Sequence, residues 1–468
     1  MKRVFDILAI VCCVTAPSFG QFVDDALRFS TPGLGVGARA IGMGGAYTGV
    51  ANDYSALYWN PAGLTQLQYG EFSLGLSHTN YLDGSTVISN TQSLASNATK
   101  LNTLGIASPV PVRRGALVLA FGYQRQSDFT TGVSFNTFNP NSSIIQSWAP
   151  NGRPLTPDVT LAEELALAET LAGNFNSPIT GRLTQIGKAL EEGGLNNWSA
   201  GGALEVGKDL SVGITVTYVS GTYKYTRNYR EQDNNHIYTV APFDFDQLIV
   251  DDNVESDLSG VNAKFGFMYK QPDRFRLGIT IKTPTSLHIK ETFNTTVQSF
   301  FDNGDIVGPL DNPGSNEYDV VTPWVFGAGA SVIIQDLVLS GDVEYTDWTT
   351  MEFRNANSDV LLLNTDIKNV LRATATLRGG GEYDLRSLGL RVRGGFMYNT
   401  SPYQGDPSSY DQKYATAGLG ILLGESAMLD IGYAHGWWKT YRINYAGGPR
   451  VDENVTTNNL LATLSFRF

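Results

Sequence analysis

The sequence has 468 residues, a formal net charge of −12 and only 17% charged residues, against roughly 25% in ordinary soluble domains. The acidity argues against nucleic-acid binding, and after the N-terminal region no stretch has the roughly 18 uninterrupted apolar residues of a membrane-spanning helix. With 50 glycines and 11% aromatic residues, the composition favours an all-β fold, and a closed transmembrane barrel is the β structure that satisfies its backbone hydrogen bonds in lipid.

Residues 1–20 have the pattern of a secretory signal peptide. Lys2 and Arg3 precede an apolar run over residues 7–14, and residues 18–20 supply a cleavage context. Cys12 and Cys13 lie inside this segment and lack the small residue that precedes the cysteine of a lipoprotein signal, so we interpret them as apolar filler. We therefore expect a mature chain without cysteine, as in an exported protein that needs no disulfide.

Residues 21–68 are predicted to form a plug in the barrel lumen. The segment is too short for a soluble domain, and its glycines lack the spacing and the preceding strand of a dinucleotide-binding fold. Small residues suit a plug whose backbone lies close to the barrel wall. The large apolar residues of the plug are predicted to line a ligand pocket, with packing of the plug into the wall as the alternative: Phe22, Leu27, Phe29, Leu34, Ile41, Met43 and Tyr47.

Residues 69–468 carry the period-two alternation of antiparallel barrel strands, with apolar residues towards lipid and small or polar residues towards the lumen. Two of the runs are separated only by Thr283-Pro284-Thr285, and a proline bends a strand without forming a loop that leaves the membrane. We merge these two runs and predict about 14 strands. They begin near Phe72, Leu101, Leu117, Trp198, Leu210, Val261, Phe275, Trp324, Leu337, Leu371, Leu388, Ala415, Leu429 and Leu460.

The predicted connections alternate in length. Links after even-numbered strands are short, as at residues 110–114 and 208–209, whereas links after odd-numbered strands are long. This asymmetry is typical of periplasmic turns and extracellular loops. Aromatic residues at the long-loop ends predict an interfacial girdle: Tyr123, Tyr218, Tyr345, Trp348, Tyr398, Trp437 and Trp438.

A helical extracellular insert is predicted near residues 156–195, in the connection after strand 3. Thr160 and Glu163 match a capping box for a helix that ends at Gly173, and a second helix is predicted over Thr180–Glu192. Two interpretations are open: a helical hairpin packed over the barrel mouth, or a surface groove that collects amphiphiles before entry.

The C-terminal residues 460–468 alternate strictly between apolar and mixed side chains and close on Phe468. A last strand that stops at a terminal phenylalanine is similar to the signal that outer-membrane barrels present to their assembly machinery. We therefore expect that machinery as a partner, together with outer-membrane lipid.

The plug contains a specific pattern of short motifs: Arg39-Ala40, Gly45-Ala46, Asn52-Asp53, Tyr58 and Asn60-Pro61-Ala62. This pattern resembles the plug of the FadL-type family of long-chain fatty-acid and aromatic-hydrocarbon transporters. The resemblance extends over nearly all of the mature chain, with similar segments in later strands at Pro323-Trp324, at 342–348, at 399–402 and at 429–435. Related outer-membrane barrels that serve protein secretion share the plug pattern.

The resemblance implies a ligand pocket between plug and wall, and release after the plug rearranges towards a lateral opening. Asn60, Pro61 and Ala62 would then be the hinge-like plug motif, with a plain anchor of the plug to the wall as the compatible alternative. The helical insert departs from the family pattern, in which comparable helices follow strand 5, so no surface site is carried over.

Signals for catalysis or metal binding are missing from the sequence. The four histidines are far apart, and no nucleophile elbow, P-loop or zinc motif is present, so we expect neither enzyme activity nor a metal or cofactor. The charged residues predicted on the lumen face are interpreted as plug salt bridges, with binding of a ligand head group as the alternative. They are Glu205, Lys264, Arg274, Arg276, Asp342, Glu344, Arg372, Arg378, Arg391, Arg393 and Asp430.

These features together predict a monomeric outer-membrane protein for passive uptake of long-chain fatty acids or other hydrophobic small molecules. The competing prediction is a scaffold or shuttle that binds partner proteins at the outer membrane and transports nothing. Cargo identity does not follow from the sequence, because apolar pocket residues specify shape.

Overall fold

The computed structural model describes residues 23–148, 157–171, 174–241, 243–271 and 274–468. The predicted signal peptide and Phe22 lie outside these residues. None of the helices within the described ranges is long and apolar enough to cross a bilayer.

Fourteen antiparallel strands form one closed barrel, which confirms the predicted fold class and strand number. Each strand pairs with its neighbours in sequence, and the last closes on the first through the pair Phe72↔Phe466. The strands are β1 Glu71–Val87, β2 Asn90–Val110, β3 Leu117–Asp128 with Thr131–Asn139, β4 Leu183–Gly207, β5 Leu210–Gln232, β6 Phe245–Gln271, β7 Phe275–Lys282 with Ser286–Phe301, β8 Ile306–Val321 with Val325–Ile334, β9 Leu337–Asp347, β10 Ala373–Leu385, β11 Leu390–Asn399, β12 Gln412–Leu423, β13 Ala427–Ile443 and β14 Arg450–Arg467.

The proline-containing segment 283–285 is a kink inside β7, as the sequence predicted. The neighbouring strand β8 has a matching interruption at residues 322–324, which the sequence analysis did not predict. The two halves of β7 and β8 stay in register on either side, with Lys282 opposite Val325 and Ser286 opposite Val321. The Thr322 amide donates to the Thr285 carbonyl at 2.9 Å, so the double kink remains hydrogen-bonded.

Strand β6 shows how far the barrel extends beyond the membrane. Its outward residues are apolar at Val261, Phe265, Phe267 and Tyr269, and become polar along 253–257. A lipid-facing strand needs an apolar outer face over roughly 9–11 residues, so the upper part of β6 stands in water. Several connections expected to be long loops are therefore strand extensions, and β1 and β2 are joined by only two residues, Ile88 and Ser89.

The helices lie in the lumen and in two extracellular connections. In the lumen are α1 Val23–Ser30, α2 Ala38–Gly42, α3 Ala56–Trp59 and a 3₁₀ helix Pro61–Gln66. The β3–β4 connection holds α4 Ile145–Trp148, α5 Pro157–Glu164 and a small hairpin of Glu169–Leu171 with Asn174–Asn176, and the β9–β10 connection holds α6 Ser358–Val370. Short 3₁₀ turns span Trp348–Thr350 and Arg386–Leu388, and the short strand Glu352–Arg354 pairs with the upper part of β8.

The prediction of a second helix in the insert, over Thr180–Glu192, is wrong. Residues from Leu183 onward belong to β4, which pairs with β3 and with β5 along its length. Leu183, Ile186 and Leu190 fit a helical period, but the burial of this segment alternates with a period of two. Pairing with two neighbouring strands outweighs local helix propensity. The helical part of the described insert is thus limited to α4 and α5.

Three apolar clusters follow one another along the barrel from the periplasmic to the extracellular end. The plug cluster joins the plug to the lower strands and includes Ile41, Met43, Tyr47, Tyr54 and Leu57. The roof cluster surrounds α1 and includes Leu27, Phe29, Phe129, Trp348 and Phe353. The cap cluster fills the upper end with the β3–β4 connection and includes Ile144, Leu165, Ile179, Tyr229 and Phe245.

Candidate functional site

The plug approaches the wall so closely that side chains would clash at several points. Gly44 has φ +67°, and a Cβ there would lie 2.6 Å from the Phe396 amide nitrogen. On the wall side, a Cβ at Gly380 or Gly395 would lie 2.1–2.5 Å from backbone atoms of Met43 and Gly44. Glycine on both surfaces therefore permits backbone-to-backbone packing, as the small residues of the plug predicted.

An ion-pair network joins the plug to strands β10, β11 and β13 of the wall. The Arg39 guanidinium donates to both carboxylate oxygens of Glu382 on β10, at 2.8 and 2.7 Å. Arg393 on β11 donates to the same carboxylate at 2.6 Å and lies 2.7 Å from Asp430. These side chains are buried or nearly so, and removal of one partner would leave an uncompensated buried charge. The network supports the interpretation of lumenal charges as plug salt bridges.

Asn60 of the predicted plug motif is a buried anchor. Its Nδ2 donates to the Thr48 carbonyl at 2.9 Å within the plug and to the Phe267 carbonyl on β6 at 3.2 Å. Its Oδ1 accepts from the Ala62 amide at 3.2 Å, and Pro61 begins the 3₁₀ helix. These contacts favour the anchor interpretation of Asn60, Pro61 and Ala62, since all three residues are buried.

A cavity of about 60 Å³ lies between the plug and the wall. Tyr58 and Trp59 of the plug bound it on one side, and Ser30 and Pro32 follow from the end of α1. Its wall consists mainly of amide, hydroxyl and charged side chains of β3 to β10, including Gln124, Gln126, Asn197, Thr215, Thr217, Asn262, Lys264, Thr280, Lys282, Glu344, Thr346 and Arg378. The kinked segment at Thr322 and Pro323 completes the lining.

Helix α1 forms the roof of this cavity and is fixed by charges. Arg28 lies 3.1 Å from Glu191 on β4, and Glu191 also lies 3.5 Å from Arg442 on β13. Asp24 accepts a hydrogen bond from the Tyr403 hydroxyl at the other end of the helix. Together with the apolar contacts of Leu27 and Phe29, these bonds hold α1 across the lumen.

A second layer, the cap, lies above the roof. The Glu231 carboxylate at the extracellular end of β5 accepts from the Tyr229 hydroxyl at 2.7 Å, the Gln185 amide at 2.8 Å and the Ile144 backbone amide at 2.9 Å. Burial raises the pKa of Glu231, while its hydrogen-bond donors, Ser143 among them, oppose that shift. The network joins the described part of the β3–β4 connection to the wall, so the cap covers the roof on the extracellular side.

The predicted ligand residues do not line this cavity in its closed form. Ile41, Met43 and Tyr47 lie in the plug cluster, with Leu34 packed against it, and Leu27 and Phe29 lie in the roof cluster. Phe22 falls outside the described residues. The cavity residues on β3, β4 and β7, such as Gln126, Asn197 and Lys282, were missed. Their position on the lumen face of each strand was the available signal.

The chain matches the family model for outer membrane transport proteins (OMPP1/FadL/TodX) over residues 36–468. Among solved structures it is similar to the toluene transporter TodX of P. putida, with 13% identity, a TM-score of 0.56 and coverage of 93% of this chain and 99% of that chain. A FadL homologue of Pseudomonas aeruginosa gives 15% identity, a TM-score of 0.57 and coverage of 94% and 99%. No curated protein sequence matches the chain significantly. At sequence identities of 13% and 15%, the structural similarity supports a shared fold and nothing more.

Proposed function

The chain belongs to the OMPP1/FadL/TodX family of outer membrane transport proteins, and on that premise we propose that it mediates passive uptake of long-chain fatty acids or other hydrophobic small molecules. It is a multi-pass outer-membrane barrel, and proteins of this family are transport channels and not enzymes. The proposed route leads from the extracellular end, past the cap and α1, into the cavity between plug and wall.

The cavity is the observation that carries this proposal. It is bounded on one side by the plug and on the other by barrel strands, so a movement of the plug changes its size and its exits. The roof cluster borders it through α1, and Leu27 and Phe29 would meet the apolar part of a ligand there. Apolar surface that leaves water contributes roughly 25 cal/mol per Å², so a long alkyl chain would be retained by the apolar side chains of the roof and plug clusters once the plug has moved, and not by the polar wall of the cavity.

We propose that the remaining predicted residues act after the plug rearranges. Ile41, Met43 and Tyr47 lie beneath the cavity in the plug cluster. A displaced plug would bring these side chains to the ligand path, whereas in the closed form they pack against the wall. Two structural relatives that are named as toluene transporters, TodX and TbuX, support an apolar cargo without identifying it.

The test is uptake of radiolabelled palmitate by cells that lack their own fatty-acid import and carry this chain. Val325 lines the cavity on β8, and a tryptophan there should fill the space and abolish uptake. Ala328 lies on the lipid face of the same strand, so Ala328→Trp is the matched control and should transport normally. Normal uptake by Val325→Trp at equal surface levels would refute the route. Absence of uptake with the unaltered chain, for palmitate and for apolar hydrocarbons alike, would favour the scaffold function.

A further inference from the structure

A chain of hydrogen-bonded polar side chains, the polar ladder, crosses the outer surface of four neighbouring strands. Asn97 on β2 accepts from Asn80 on β1 at 2.6 Å, and Asn80 accepts from Asn458 on β14 at 3.4 Å. Asn458 in turn accepts from the Tyr433 hydroxyl at 2.7 Å and lies 2.9 Å from His435 Nδ1, both on β13. The ladder bridges the seam between the first and last strands, and three inter-strand spacings make it about 14 Å wide.

The polar ladder lies at the upper edge of the apolar belt. On β14 the outward residues between Asn458 and the periplasmic end are Leu460, Ala462, Leu464 and Phe466. Amide groups cost free energy in hydrocarbon, so the ladder marks the level at which acyl chains end and head groups begin. Trp437, the next outward residue after His435, is exposed at this level, as interfacial tryptophans are.

A pocket of about 280 Å³ opens on the same surface, nearer the extracellular end. Its lining consists of Ser409 and Tyr410 from the β11–β12 connection and of Lys439, Thr440, Asp452, Glu453 and Asn454 from β13 and β14. Lys439 and Asn454 are cross-strand partners and lie four residues beyond His435 and Asn458, or about 13 Å along the strands. The volume is close to the roughly 300 Å³ at which small-ligand pockets begin, so the pocket has room for a small polar group.

The pocket has one lysine whose charge is not paired. Asp452 accepts from Arg450 at 2.6 Å, and Glu453 accepts from Arg442 at 2.6 and 3.1 Å. Both carboxylates of the lining are therefore held by an arginine. The Lys439 ammonium is exposed and forms neither a hydrogen bond nor an ion pair with any residue in the part of the chain that the structure describes. An anion at this position would gain a direct partner without displacing an existing ion pair.

A second lysine adds to the positive charge of this sector. Lys413 on β12 is the cross-strand partner of Trp437, so it is a diagonal neighbour of Lys439, with Cα atoms about 7–8 Å apart. Its ammonium donates to the backbone carbonyls of Ser408 and Asp411 and to no carboxylate. Strand β6, seven strands away on the opposite side of the barrel, has only acidic charges on the outer face of its extracellular half: Asp251, Glu255 and Asp257. Positive charge on the outer surface thus coincides with the polar ladder and the pocket.

We propose that the polar ladder and the pocket together bind the phosphorylated sugar head group of a glycolipid in the outer leaflet of the membrane. A phosphate group binds Lys439 in the pocket by charge-assisted hydrogen bonds. The sugar hydroxyl groups bind the ladder amides, which both donate and accept, and the acyl chains lie along the apolar belt at Leu460. A phospholipid has no sugar and inorganic phosphate has no chains, so neither occupies all three parts. The inference depends on the outer-membrane location and not on the proposed uptake.

The experiment uses the full chain refolded from urea into neutral detergent, so that no lipid from the cell remains bound. Binding of lipid A, an acylated and phosphorylated glucosamine disaccharide, is measured beside its dephosphorylated form and dioleoylphosphatidylglycerol. We expect Lys439→Gln to weaken binding of lipid A about ten-fold or more and to leave the dephosphorylated form unchanged, while Lys439→Arg retains binding. Asn97→Ala, at the end of the ladder away from the seam, should weaken both forms about three-fold. Lys188→Gln is the matched control, since Lys188 is exposed on the outer face of β4.

Several outcomes would overturn the glycolipid site. Binding of phosphatidylglycerol as tight as that of lipid A would indicate a general attraction for anionic lipids. Competition by inorganic phosphate at equal affinity would assign the pocket to a free anion, and equal weakening by Lys188→Gln and Lys439→Gln would indicate diffuse surface charge. Palmitate uptake by Lys439→Gln should equal that of the unaltered chain. A complete lack of uptake by the unaltered chain would refute the proposed function and leave the glycolipid site intact.

Discussion

The Glu382 carboxylate accepts two hydrogen bonds from the Arg39 guanidinium, one to each oxygen, at 2.8 and 2.7 Å. Glu382 also accepts from Arg393, so one wall carboxylate holds one plug arginine and one wall arginine. The plug is therefore not retained by apolar packing alone. If a ligand moves the plug, Arg39 and Glu382 must either stay paired or each find a new partner of opposite charge.

We predict that Glu382→Ala destabilises the plug strongly, because it leaves the buried Arg39 and Arg393 charges without their shared partner. The expected loss in free energy of unfolding is about 3–5 kcal/mol, measured by urea titration of the barrel in lipid vesicles. Glu425→Ala in an exposed periplasmic turn is the control and should change the same quantity little. A loss below about 1 kcal/mol for Glu382→Ala would mean that the pair behaves like an exposed one.

The membrane orientation can be tested with inserted epitope tags. Gly304 lies in the turn at the top of β7 and β8, and Gly424 lies in a short turn between β12 and β13, each with no atom near the position of a Cβ. A tag after Gly304 should be labelled on intact cells, and a tag after Gly424 only after permeabilisation. Labelling of the Gly424 tag on intact cells would reverse the assignment of the two ends.

The sequence predicted the membrane-spanning half of each strand and missed most of the extracellular half. In the membrane the outer face must be apolar, and Leu210, Ile214 and Tyr218 make the alternation easy to detect. Above the membrane both faces can be polar, as at Asn253 and Glu255 of β6, so the period-two signal is lost. The strand number was still correct because each strand has one spanning segment.

The candidate site was harder to predict than the fold. Large apolar side chains in the plug were expected at the ligand pocket, but Ile41 and Met43 pack against the wall. The cavity is lined by residues such as Lys282 and Asn197, whose neighbours in space come from strands far apart in the sequence. Only the closed barrel brings them together. Their placement on the lumen face could be inferred strand by strand, but their proximity could not.

Removal of the C-terminal residue should impair assembly rather than transport. The Phe468 amide donates to the Gly70 carbonyl at 3.0 Å, and the Gly70 amide donates back to Phe468 at 2.9 Å, which closes the seam between β14 and β1. We expect deletion of Phe468 to reduce heat-modifiable barrel in the outer membrane, with palmitate uptake per folded barrel unchanged. Surface levels and mobility equal to those of the unaltered chain would show that the seam does not need this residue.

Replacement of Asn60 by alanine should reduce uptake while the barrel still folds. The change leaves the carbonyls of Thr48 and Phe267 without their donor, and each unsatisfied buried group costs about 1–3 kcal/mol. The plug should then leave its position without ligand, and palmitate uptake should fall at unchanged surface levels. Gln68→Ala is the control, because Gln68 is exposed at the end of the plug segment. Unchanged uptake by Asn60→Ala would show that Asn60 contributes to packing of the plug and not to uptake.

The last prediction concerns Gly33, where the plug joins β3 at the register shift between Arg125 and Ser127. The β2–β3 pairing ends at Thr103↔Gln124, and the β3–β4 register skips Gln126, so neither neighbouring strand binds the Gln126 carbonyl.

The Gly33 backbone amide donates a hydrogen bond to the Gln126 carbonyl at 2.9 Å instead. A Cβ at Gly33 would lie 2.9 Å from the Gln126 oxygen and 3.1 Å from Ser127 Cα, both backbone atoms that cannot rotate away. Gly33→Ala should therefore lift the start of the plug from β3 and loosen α1 above the cavity. Overpacking costs about 1–3 kcal/mol, so a cysteine introduced at Thr31 should react with maleimide about ten-fold faster in the Gly33→Ala background. Gly84→Ala on β1 is the matched control, since its Cβ would meet nothing within 3.7 Å. Equal labelling rates in the two backgrounds would show that the hydrogen bond at Gly33 does not hold the roof.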